Sequence, residues 1–89
     1  MEKELFYLYD IQENCPVRFI SFHGETTRYD LGIVQTNNFY GKYIVFDLLG
    51  KNYAIIGPDD LEEEGYLEYA YKLTADQALE LTAFLKQII

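Results

Sequence analysis

With one cysteine among 89 residues, the chain cannot form an intramolecular disulfide, and a small secreted scaffold held together by bridges is excluded. Basic residues are scarce too. Seven Lys and Arg stand against fifteen Asp and Glu, for a formal charge of -8. Such a field repels phosphate backbones and anionic lipid heads, so nucleic acid and membrane surfaces are poor partners. There is no long apolar run. The opening "MEKELFYLYD" offers five apolar residues flanked by acids, which fits neither a signal peptide nor a membrane span. A reducing cytoplasm is the expected location. Neither a G-x-S-x-G elbow nor a Gly-rich phosphate loop occurs, and "GPDD" lacks the Lys and Ser/Thr that charge-balance a phosphate.

What is present supports one folded domain over residues 1–89. A chain this short buries roughly 60–65% of its unfolded surface, which leaves no room for a second core. A hydrophobic fraction of 49% with 17% aromatics is ample for the first and argues against disorder. No repeat, low-complexity tract or Pro/Gly/Ser linker divides it.

The pattern along the chain is strand-like until near the end. "LFYLY" (5–9) is short, apolar and aromatic, the signature of a strand buried on both faces or paired with another chain. Further strands are expected at about 17–23, 28–36, 42–49, 52–56 and 66–73. The last is read from "YLEYAYKL", which sets Leu67, Tyr69, Tyr71 and Leu73 against Glu68, Ala70 and Lys72. Short links between consecutive strands favour antiparallel pairing. After Gly57 and Pro58 the acidic "DDLEEEG" suits one helical turn, with Pro58 in its first position and Gly65 ending it. "TADQALELTAFLKQII" predicts a helix over about 75–88. Thr74 and Gln77 form a capping box, and Ala78, Leu81, Leu85 and Ile88 make a stripe that must be covered. The expected class is α+β: a curved antiparallel sheet or partly open barrel of five to six strands with one C-terminal helix packed on it.

Candidate chemistry begins with the acids, six of which lie between Asp59 and Glu68 with no base among them. Counting from Asp59, a calcium loop would need an oxygen ligand at its third position and glycine at its sixth. Those positions hold Leu61 and Glu64. Consecutive acids in a turn also point apart. Asp59, Asp60, Glu62, Glu63 and Glu64 are therefore read as a docking surface for a basic partner, against the ordinary alternative of a solvated turn. Pairs of carboxylates are too plentiful here to indicate acid–base catalysis. Asp47, inside an apolar strand, is read as facing solvent.

"FHGETTRYD" gathers His23, Glu25, Arg28 and Asp30 in a polar loop that a hairpin explains and that could also bind a ligand or anion. Cys15 and His23 stand at opposite ends of a predicted strand, about 20 Å or more apart at strand rise, too far to act together. Cys15 is taken as an ordinary turn residue. Nine tyrosines without a basic groove point to interfaces rather than to a nucleic-acid platform.

In "RFISFHGETTRYDLGIVQT" and "YAIIGPDDLEEEGYLEYAYKLT" the chain resembles a family of small, acidic, cytosolic proteins of unknown function from low-GC Gram-positive bacteria. The resemblance runs over nearly the whole chain, and "AIIGPDDLEEEGYLE" is its most distinctive stretch. It implies a bacterial cytoplasmic single-domain protein and supplies no catalytic residues. The expected function is a non-enzymatic interaction or regulatory module, a homodimer acting on a protein partner, with no cofactor or metal. The alternative is a small-molecule-binding barrel or a hydrolase using the His23–Asp30 loop.

Overall fold

The computed structural model describes residues 5–89. Four antiparallel strands follow one another as a meander: β1 (Val17–His23), β2 (Arg28–Val34), β3 (Tyr43–Asp47) and β4 (Asn52–Ile56), in spatial order β1-β2-β3-β4. Three helices follow: α1 (Pro58–Leu61), α2 (Tyr66–Tyr71) and α3 (Ala75–Leu85).

The pairings Arg18↔Ile33, Ile33↔Val45 and Val45↔Ala54 put one residue from each strand into a row across the sheet. Strand residues two apart share a face, so Tyr29, Leu31 and Ile33 point one way with Val45, Ala54 and Ile56. The helices cover that face. Leu61 of α1, Leu67 and Tyr71 of α2, and Ala78, Leu81 and Leu85 of α3 complete a single core. Phe22 reinforces it by stacking between Tyr29 and Phe84, with ring centroids at 4.8 and 4.3 Å.

Tyrosine hydroxyls tie the two layers together. Tyr71 donates to the Val45 carbonyl at 2.7 Å, and Tyr66 donates to the Ile55 carbonyl at 3.0 Å. Burial pushes both phenols above their ordinary range, which keeps them in the donating form. The α3 cap forms as its sequence dictates: the Gln77 N–H donates to the Thr74 hydroxyl, and the Thr74 N–H donates to the Gln77 side chain.

Three expectations require correction. The sheet has four strands and is open, with β1 and β4 as its edges, so neither five to six strands nor a barrel forms among the described residues. The "LFYLY" segment is not a strand. Residues 5–14 lie outside the regular elements, with no strand beside them to pair with. The stretch 66–73 is α2 rather than a strand, so the C-terminal helix is not alone. Leu67 and Tyr71 satisfy both periods, being an even number apart and also one helical turn apart. Tyr69 separates them: it is almost fully exposed, as a helix requires and a half-buried strand does not. Left-handed residues at Gly65 (φ 82°) and Lys72 (φ 56°) bracket that helix, and the Leu73 N–H closes its end on the Glu68 carbonyl. The regular part of α3 stops at Leu85, with turns carrying Ile88 onto the core.

Candidate functional site

The acidic segment is not one uniform surface. Asp60 turns inward, where its carboxylate accepts the Gly57 N–H at 2.8 Å and pairs with Lys42 at 3.1 Å. The Asp60 hydrogen bond, together with the neighbouring acids, raises the Lys42 pKa. Asp60 thus fixes the start of α1 and ties it to the residue just before β3. Asp59 makes only a long 3.8 Å contact with the same ammonium. Glu62 reaches Lys86, just past α3, at 3.1 Å. Glu63 and Glu64 are exposed and, like Glu68, take part in no ion pair among the described residues. The two bases that serve this segment come from distant positions, which local charge counting cannot reveal.

Behind the free glutamates lies an open groove of about 360 Å³. One wall is the 61–65 link with Glu68. The other is α3 and the residue just past it, through Ala75, Ala78, Leu79, Thr82 and Lys86, the last paired with Glu62. Leu79 is 69% exposed on this wall, so an apolar floor meets an acidic rim. The sequence pattern marks Leu79 as off the covered stripe but gives no reason to place Glu63, Glu64 and Glu68 beside it. The α2–α3 turn does that.

The polar loop is arranged differently. The His23 ring and the Gly24 carbonyl are 2.6 Å apart, and Arg28 pairs with Asp30 at 2.9 Å. The Ser21 hydroxyl, with Arg28, holds the Asp30 carboxyl below its usual range. Glu25 contributes its backbone: its N–H donates to Glu80 at 2.6 Å, while the Tyr29 hydroxyl donates to the other Glu80 oxygen at 2.7 Å. These two donors lower the Glu80 pKa, the Glu25 N–H contributing most. A Cβ at Gly24 would run into the Glu80 carboxylate, so any larger residue here would displace that side chain from its place. The four candidate residues are brought to one end of the sheet. Arg28 and Asp30 neutralise each other, and the loop is latched to α3 through Glu80, a residue the sequence pattern did not single out. Asp47 accepts the Gly50 N–H at 3.1 Å and shapes the β3–β4 turn. Cys15 precedes β1 and His23 ends it.

The largest feature missed by the sequence is the second face of the sheet. Val17, Phe19, Ile44, Phe46, Tyr53 and Ile55 fall there, opposite the helices. Phe19 is 75% exposed and Tyr53 65%, with Phe46 against Tyr53 at 5.7 Å between centroids. The signal was available: β1, β3 and β4 carry apolar residues at both parities, whereas a sheet with one wet face alternates. Among the described residues no group of three or more His, Cys, Asp or Glu could hold a metal ion, and no helix is long and apolar enough to cross a membrane.

No curated protein matches the sequence. The model of the SAV0927-like family matches residues 8–87, the span from the end of the N-terminal segment through α3. The match takes in the meander, the acidic link and all three helices, so the chain belongs to the SAV0927-like family, a family of unknown function.

Proposed function

We propose that this chain is a protein-interaction module that recognises a basic, partly apolar segment of a partner protein in the groove between the acidic link and α3. One observation carries the reading: exposed Leu79 lines a groove rimmed by Glu63, Glu64 and Glu68, which take part in no ion pair among the described residues, while Lys86 at the groove's end is paired with Glu62. An apolar floor supplies affinity, and a rim of one sign supplies register and speed of encounter. The partner's complementary chemistry is Lys or Arg flanking a small apolar anchor. Glu62 lines the groove too but is paired with Lys86, Asp59 lies outside it, and Asp60 belongs to the framework that holds it.

The test is a paired capture from bacterial cytoplasm. Wild-type chain, a Glu63→Lys/Glu64→Lys/Glu68→Lys variant and an Asp76→Lys control are compared, with bound proteins identified by mass. Wild type and control should retain the same protein, the groove variant should lose it, and added salt should weaken it. Equal retention by all three would overturn the reading.

A further inference from the structure

The open sheet face and the N-terminal segment are left exposed by the same fold, and they share one chemistry. Residues 5–11, "LFYLYDI", form an apolar arm: Phe6 is 87% exposed and Leu8 96%. No backbone hydrogen bond to the rest of the chain involves these seven residues. The molecule measures 53 × 29 × 24 Å, with a radius of gyration of 15.5 Å. A compact chain of this length has about 12 Å. The excess is what an outstretched arm produces.

We propose that the occupant of the open face is a second copy of this chain, and that the two copies exchange their N-terminal arms across it. Area supports the choice. Phe6, Tyr7 and Tyr9 of the arm and Phe19 and Tyr53 of the face are each about two thirds or more exposed. At about 150–250 Å² per ring, they offer on the order of 750 Å² per copy. A standard interface takes about 800 Å² from each partner, before Leu5, Leu8, Ile11 and Val17 are counted. Exposed apolar surface of this extent is unusual on a monomer.

Length and anchoring favour exchange over folding back. The arm is seven residues long, as is β1, whose outer edge has no strand beside it among the described residues. An arm laid along that edge would complete the backbone bonding and bury side chains on both of its faces, as "LFYLY" suits. In its own chain the arm is held away from this position. Glu13 accepts hydrogen bonds from Thr36 and, at 3.1 Å, from the Asn38 amide, which fixes the base of the arm beside the end of β2. Folding back onto β1 would break that anchor; reaching across to another copy keeps it. Because a two-fold pairing is self-complementary, each arm finds the same edge.

The experiment is light scattering of the full chain over about 1–100 µM, with a photo-crosslinking residue at Phe6 in a parallel preparation. The expected mass is twice the 10.4 kDa of one chain. Phe19→Lys/Tyr53→Lys and Phe6→Ser/Leu8→Ser should each weaken the dimer by about tenfold or more, as loss of central aromatic anchors does. Both pairs of sites are exposed, so circular dichroism should stay that of the wild type. The crosslink should give dimer-sized product. A wild-type monomer throughout the range would overturn the proposal. A dimer indifferent to the face variant would overturn the face assignment. Crosslinks confined within one chain, or a dimer indifferent to the arm variant, would overturn the exchange.

Discussion

Glu80 illustrates how one side chain joins distant segments. Its two oxygens receive the Glu25 N–H and the Tyr29 hydroxyl, so its charge fastens the β1–β2 loop to α3. Both donors stabilise the ionised form and lower its pKa from the ordinary 4.5. The sign follows from linkage. Stability contributed by a depressed carboxyl is fully present above the ordinary value and is lost as pH falls through the folded value. Thermal melts from about pH 6 to about pH 3 should therefore show a steeper acid limb for wild type than for Glu80→Gln, with the two curves converging at the acid end. Identical slopes would show that Glu80 does not contribute to the latch. Nothing in the local sequence marks this residue: it lies off the covered stripe of its helix, and its partners are more than 50 positions away.

At the level of elements, the acidic link separates into a framework part and a free part. Asp60 caps α1 through the Gly57 N–H and pairs with Lys42, whereas Glu63 and Glu64 are exposed and make no ion pair among the described residues, and Glu62 makes only an exposed one with Lys86. Losing a helix cap costs about 1 kcal/mol, and exposed ion pairs are worth about 0–1 kcal/mol. Asp60→Ala should thus lower unfolding free energy by about 1–2 kcal/mol, while Glu62→Gln/Glu63→Gln/Glu64→Gln should stay within about 1 kcal/mol of wild type in urea titrations. The reverse order would contradict the division. β1 and β4 were legible at their full lengths, because their apolar runs end at strong breakers. The α3 cap was legible because Thr74 and Gln77 act within one turn. By contrast, α2 was not, since Leu67 and Tyr71 suit a strand and a helix equally. Its helical state is decided by what packs on it: Leu67 and Tyr71 enter the core over β4 while Tyr69 faces out. The "LFYLY" segment misled for a related reason. Strand propensity is present, but a strand exists only with a partner edge.

For the whole molecule, the helices cover one face of a four-stranded sheet and leave the other face and the arm bare. The acidic groove and the apolar face lie on different layers, so a second copy and a basic partner need not compete. The α+β class could be read from composition and order. The groove could not, because it needs the link and α3 to be brought together by α2. The central claim is that recognition happens in that groove, and its most direct measurement is an amide-shift map. Isotope-labelled chain is titrated with the captured partner, and perturbed amides are placed on the fold. Shifts should cluster on Glu62–Glu68 and on Ala75–Thr82, and should shrink when Glu63, Glu64 and Glu68 are reversed in charge. Shifts centred on the His23–Asp30 loop, with the groove unmoved, would contradict the account.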